Sequence, residues 1–224
     1  MQAVILAAGK GLRLRPFTDS HPKPLIEING KPLLEHTLSS LPDSITEIII
    51  VIGYLGEQIQ EHFGDSWNEK PIKYVEQTEL LGTGDALLRA KDLLHTKFLA
   101  INGDDLYTKT DLTELLSNGS AMLVWPSRET SKYGIVSDEK DNFTGFDETS
   151  ALINCGAYCL DPNFFNFPLV KVDVPNGVEY SLPHTLAKEA QSVPIKLFKA
   201  TRWLPVGTPE QLKFADDYFT KRDI

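Results

Sequence analysis

The chain of 224 residues predicts an α/β fold, a mostly parallel sheet flanked by helices, with a smaller β-rich part. Three observations predict it. Apolar, often β-branched runs alternate with amphipathic stretches through the first half. The first such run stops at a glycine-rich turn, Gly9-Lys10-Gly11. The second half is denser in strand signals and in turns. Strands separated by helices imply parallel pairing with right-handed crossovers. Ligands of such sheets sit beyond the carboxyl ends of the strands.

Ala3–Ala8 reads as a buried strand. Lys31–Leu41 reads as a helix, with Pro32 at an early position and Leu33, Leu34, Thr37, Leu38 and Leu41 on one stripe. Glu47–Ile52 is a continuous β-branched run, a strand buried on both faces. Gly56–Phe63 is a short helix, Ile72–Val75 a strand and Thr83–Leu94 a helix with Thr83 as N-cap. Phe98–Ile101 is a strand that ends at Asn102-Gly103-Asp104-Asp105. Further strands are expected at Ala121–Trp125, Gly134–Ser137, Phe143–Phe146, Leu152–Leu160 and Val193–Phe198. Helix returns at Pro162–Phe165, Leu182–Gln191 and Pro209–Arg222. No repeat or linker interrupts the chain, so residues 1–224 are expected to form one unit.

A formal net charge of −9 argues against a general nucleic-acid-binding role. No apolar run is long enough to span a membrane, and the N-terminus lacks the charged region of a signal peptide. Cys155 and Cys159 share one strand and one face, roughly 13 Å apart at about 3.3 Å per residue, too far to bridge. Two core thiols in a reducing cytoplasm are expected. The five histidines form no spaced metal-binding pair.

Three constellations could carry chemistry. Gly9 and Gly11 let the backbone approach a ligand, and their successive N–H groups can form an anion-binding concavity. Arg13, Arg15 and Lys23 add positive charge nearby, which together reads as a polyphosphate cradle. It is neither a P-loop nor a dinucleotide fingerprint, because no G-K-[ST] closes it and Arg13 and Pro16 stand where a third glycine and a helix belong. Gln77 opens a loop running to Gly82-Thr83-Gly84. This is either a plain loop and cap or a base reader, since an amide matches a pyrimidine carbonyl beside an N3–H. Asp104 and Asp105 are either turn and cap residues or a Mg²⁺ site, which needs one or two carboxylates plus phosphate oxygens.

Gly9-x-Gly11-x-Arg13-x-x-Pro16-x-Thr18, followed by Pro22-Lys23-Pro24, resembles the signature of sugar-phosphate nucleotidylyltransferases. The resemblance runs over nearly the whole chain. It implies a Rossmann-like nucleotidyltransferase fold, with residues 1–120 mainly binding nucleotide and 121–224 mainly binding sugar phosphate. It implies the joining of UTP or dTTP to a sugar 1-phosphate with release of pyrophosphate. Implied nucleotide contacts are Leu6, Ala8, Gly9, Gly11, Gln77, Gly82 and Thr83. Arg13, Lys23 and Asp104 are the implied catalytic residues, with Asp104 holding Mg²⁺ and Asp105 in reserve. Gly134, Glu148, Asn154 and Glu179 are the implied sugar contacts, although Asn154 could equally satisfy a buried backbone group. Three departures stand out. Leu12 replaces a small hydroxyl residue, Pro205 replaces an aspartate that is a second metal ligand in relatives, and Glu148-Thr149 stands in place of a Glu-Lys-Pro triplet. A CTP-dependent transferase acting on a small phosphorylated alcohol, and a catalytically weak binding relative, are the alternatives. The apolar strands of the second half leave room for subunits to pair, and no appended β-helix is expected after Ile224.

Overall fold

The computed structural model describes residues 1–117, 119–127, 135–137, 140–147, 150–175 and 177–220. Its central sheet has eight strands: β1 (Gln2–Leu6), β2 (Glu47–Ile52), β3 (Ser66–Trp67), β4 (Lys70–Glu76), β5 (Phe98–Asn102), β6 (Ala121–Pro126), β7 (Leu152–Leu160) and β8 (Lys196–Lys199). Their order is β8-β6-β7-β5-β1-β2-β4-β3. β5, β1, β2 and β4 run parallel, as do β6 and β8. β7 runs antiparallel to both its neighbours, and the stub β3 is antiparallel to β4. The sheet is therefore mixed and mostly parallel, the class the alternating first half predicts.

Side-chain alternation along each strand splits the core in two. Ala3 and Ile5 of β1 face one layer, and Val4 and Leu6 face the other. The first layer is closed by helices α1 (Leu33–Ser39), α2 (Gly56–Phe63) and α4 (Lys109–Leu116). The second is closed by α3 (Thr83–Arg89) and α5 (Leu182–Glu189). Ile48, Ile49, Ile50 and Val51 of β2 are all fully buried, two on each side. Burying each contributes about 1.5–3 kcal/mol, against about 1–2 kcal/mol to fix each backbone, so this strand forms on its own side chains. A third, smaller cluster joins Ile28, Leu33, Leu106 and Val206 to α6 (Pro209–Thr220) through Ala215.

Several boundaries differ from the sequence expectation. The helix expected from Lys31 starts at Leu33, because Lys31–Pro32 pairs with Glu27–Ile28 in a small ribbon. The helix expected over Thr83–Leu94 stops at Arg89 and resumes as a 3₁₀ turn over Lys91–Leu93. Thr83 is not the cap: Gly82 takes that position at φ +96°, and the Thr83 hydroxyl instead accepts from Leu182 N–H at 3.1 Å. The strand expected from Val193 is confined to Lys196–Lys199. Helix α4, the hairpin Val170–Val174/Gly177–Ser181 and the ribbon Asp105–Tyr107/Trp203–Pro205 are additions. Neither cysteine forms a disulfide, and both are buried on one face of β7, packed in the first layer.

Candidate functional site

A cleft of about 730 Å³ opens at the carboxyl ends of β1, β4 and β5. β1 lies between β5 and β2, so the turns leaving Leu6 and Asn102 are adjacent, and Gly103 N–H donates to the Leu6 carbonyl at 2.9 Å. Residues 6–13 form its floor and Gln77 to Thr83 one wall. Asn102, Gly103 and Asp104 form the opposite wall, and Glu179 closes the rim.

The glycine-rich turn has the character of an anion cradle. Gly11 sits at φ +62°, and a Cβ there would lie 3.0 Å from Thr18 Cγ2 and 3.1 Å from Lys23 Cβ. The Thr18 hydroxyl donates to the Gly11 carbonyl at 3.0 Å and holds the bend. A Cβ on Gly9 would meet only open space. Among the described residues, the five consecutive N–H groups of Gly9 to Arg13 have no protein acceptor. Such groups facing a cleft are a ready site for phosphate oxygens.

Lys23 and Asp104 meet across this floor. Lys23 Nζ lies 2.5 Å from Asp104 Oδ2, with the lysine side chain 8 % and the aspartate 39 % exposed. Asp105 points the other way, into the protein. Burial pushes its carboxyl up to about 8, and the Asp104 charge adds to the shift. Asp104 is therefore the carboxylate that the cleft sees. Opposite Asp105 across the short ribbon stands Pro205, which carries no ligand atom. Among the described residues no three His, Cys, Asp or Glu side chains cluster around one point. A single open carboxylate fits Mg²⁺ when triphosphate oxygens and water complete its shell. Arg13 reaches the cleft beside Gly207, where a Cβ would come 2.8 Å from Arg13 Nη2.

At the far end, Gln77 is buried and its amide nitrogen donates to the Gly82 carbonyl at 3.0 Å and to Asp85 Oδ2 at 2.9 Å. A Cβ on Gly82 would lie 2.6 Å from the Tyr180 carbonyl oxygen, so the loop and the hairpin strand Gly177–Ser181 pack backbone to backbone. Tyr180 N–H donates to the Leu81 carbonyl at 2.7 Å.

Leu6, Ala8, Gly9, Gly11, Arg13, Lys23, Gln77, Gly82, Thr83, Asp104 and Glu179 thus share one cleft. Asn154 is not among the cleft-lining residues. Its side-chain Oδ1 accepts from Gly156 N–H at 2.9 Å, and its Nδ2 donates to the Tyr158 hydroxyl at 2.5 Å. Gly134 and Glu148 lie outside the described residues. The sequence reading missed Leu80, Leu81, Asn102, Val178 and Gly207 as lining residues. Asn102 had a signal: it ends an apolar strand as a polar residue. Gly156, at φ +68°, leaves the room it occupies, since a Cβ there would collide with the Asn102 amide.

The fold and the cleft define an α/β protein with an open, anion-cradling site at its strand ends, and the comparisons with known proteins give the family. The Nucleotidyl transferase family model matches residues 2–221, and the chain belongs to that family. It is 35% identical to the bifunctional protein GlmU of Methanocaldococcus jannaschii over 97% of this chain and 54% of that protein. The chain spans about half the length of these first curated relatives. It is also 35% identical to the UTP–glucose-1-phosphate uridylyltransferase AglF of Haloferax volcanii, over 94% of this chain and 93% of that one. The fold matches a UDP-glucose pyrophosphorylase from Acinetobacter baumanii with a TM-score of 0.84 at 19% identity, covering 97% of this chain and 92% of the other. The sequence resemblance and the fold class are borne out.

Proposed function

We propose that the protein joins UTP or dTTP to a sugar 1-phosphate and releases pyrophosphate. The observation that carries this reading is one cleft holding three things in a row. A row of free N–H groups lies beside the Lys23–Asp104 pair, and Gln77 and Gly82 stand at the far end. The similarity to a named UTP–glucose-1-phosphate uridylyltransferase over nearly both full lengths supports the same reaction class.

The triphosphate would lie along Gly9–Arg13, with Arg13 holding the departing pyrophosphate. Lys23 would contact both the α-phosphate and the incoming sugar phosphate. Asp104 would hold Mg²⁺, which supplies charge neutralisation on the phosphate oxygens when bound. An in-line attack by the sugar phosphate oxygen on the α-phosphorus needs positioning and charge compensation more than covalent help. Gly82 N–H would donate to a base carbonyl, and Gln77 Oε1 would accept the adjacent ring N–H. Residues 1–120 would serve mainly the nucleotide and 121–224 mainly the sugar, with Glu179 at the rim and Gly134, Glu148 and Asn154 as further sugar-side candidates.

Pro205 favours a second reading, a binder with weak turnover, because one family carboxylate is missing. One assay separates them. Pyrophosphate release is measured with Mg²⁺, crossing UTP, dTTP, CTP and GTP with glucose 1-phosphate, N-acetylglucosamine 1-phosphate, mannose 1-phosphate and N-acetylmuramic acid 1-phosphate. Release that needs a sugar phosphate and UTP or dTTP is expected. Tight UTP binding without release in any pairing would establish the second reading instead.

A further inference from the structure

We propose that Asp85 is a positioning residue for base selection, fixing which way round Gln77 presents its amide to the cleft. The inference rests on the nucleotidyl-transfer reading above. Gln77 and Asp85 are both about nineteen-twentieths buried, at 4 % and 5 % exposure. The amide nitrogen has two hydrogens, and both are committed inside the protein, one to Gly82 O at 3.0 Å and one to Asp85 Oδ2 at 2.9 Å. A carboxylate only accepts, so the end of the amide facing Asp85 must be the nitrogen. Turning the amide over would lose both bonds and set oxygen against oxygen at the same distances.

The carboxylate is itself held. Arg89, one helical turn on, donates from Nη2 to Asp85 Oδ1 at 2.9 Å and from Nε to Oδ2 at 3.2 Å. This two-pronged pair sets the carboxylate plane along α3. Gln77 is thereby left with one uncommitted polar atom, Oε1. Nothing among the described residues donates to it, and Gln77 lines the cleft.

An acceptor in that place demands a ring N–H from the base. Uracil and thymine have it at N3, beside a carbonyl. Cytosine has a bare nitrogen at the same place, so two lone pairs would face each other. The lock therefore selects against cytosine through a residue not among the cleft-lining ones. Asparagine at 85 can offer its own NH₂ to the Oε1 of a turned Gln77, which removes one of the two repulsions and leaves only the Gly82 carbonyl opposing the turn, so donation to cytosine N3 costs less.

Calorimetric binding of UTP and CTP to the full chain tests this. The wild type is expected to prefer UTP by at least about a hundredfold, the scale on which hydrogen-bond mismatches discriminate. Asp85→Asn should narrow the UTP:CTP ratio at least about tenfold. Arg89→Gln loses the ion pair but keeps an acceptor at 85, and should hold the ratio within about threefold. Equal weakening of both nucleotides in Asp85→Asn, with the ratio unchanged, would show a purely structural role and overturn the lock while leaving the function intact. A wild type that prefers CTP would overturn the base reading and the lock with it. A measurement on the wild type guards against a misfolded variant. Solvent exchange of the Gln77 side-chain NH₂ should be slow without nucleotide and little changed by UTP. Slowing of tenfold or more on adding UTP would mean that the nitrogen faces the cleft, contrary to the proposal.

Discussion

Lys23 is the residue on which the cleft's electrostatics turn, a nearly buried ammonium paired with Asp104, which is open to the cleft. Lys23→Ala and Arg13→Ala are each expected to lower the rate of pyrophosphate release at least about a hundredfold, as loss of a transition-state charge contact does. Steady-state kinetics at saturating nucleotide check this, and wild-type-like turnover in both would remove these residues from the mechanism. Glu189 gives a separate test of burial. Burial pushes its carboxyl up to about 7, with Asp161 adding, and among the described residues its Oε2 has no hydrogen-bond partner. The unfolded chain releases that proton near about 4.3. Between those values the unfolded state binds fewer protons, so stability falls as pH rises and then levels off above the folded value. Glu189→Gln removes this loss. Melting curves should show the variant gaining Tm over the wild type at pH 8 by more than at pH 5. An equal difference at both pH values would contradict the assignment. At this scale the sequence was informative where a motif is contiguous, as at Gly9–Arg13 and Gln77–Gly82. It was silent on the direction in which Asp104 and Asp105 point, which depends on the ribbon Asp105 makes with Pro205.

Among the elements, the loop from Gln77 to Thr83, proposed to read the base, and the hairpin packed on it depend on glycine geometry. Gly82→Ala faces both φ +96° and a 2.6 Å approach to Tyr180 O. A non-glycine residue held in such a conformation costs about 1–3 kcal/mol, and the hairpin must also shift. Nucleotide affinity is expected to fall more than tenfold, with a lower Tm. Gly9→Ala is the contrast, because it has open space and no positive φ. It should fold as the wild type does, while its methyl intrudes on the phosphate cradle and weakens triphosphate binding. Calorimetry and thermal melts on the pair distinguish backbone strain from ligand exclusion. Helix α4 was legible in principle. Thr108-x-x-Asp111 is a capping signal, and the Thr108 hydroxyl accepts from Asp111 N–H at 3.0 Å. The hairpin Val170–Val174/Gly177–Ser181 was harder to see. Its strands carry Lys171, Asp173 and Glu179 among the valines and lean on the loop from Gln77 to Thr83, so their stability comes from tertiary contact rather than from a long apolar run.

Over the whole molecule, the mostly parallel sheet was readable because β2 and β5 are continuous apolar runs that can only be buried on both faces. The antiparallel insertion of β7 between β5 and β6 was not, since an apolar run has no direction written in it. Its two cysteines report on that burial. Desolvation pushes the Cys155 thiol up strongly and Cys159 to about 11. Both should resist a thiol-titrating reagent in the native protein at neutral pH and react together once it is denatured. Fast labelling of either in the native state would contradict the packing. The central claim, transfer of a nucleotidyl group onto a sugar 1-phosphate in this cleft, is tested most directly by following the α-phosphorus. With the α-³²P-labelled triphosphate, UTP or dTTP, and the sugar 1-phosphate that together score highest in the pyrophosphate assay, and Mg²⁺, the label should appear in a nucleotide-sugar, one molecule for each pyrophosphate released. Label that stays in both triphosphates with every sugar phosphate, or that leaves as the nucleoside monophosphate whether or not a sugar phosphate is present, would contradict it.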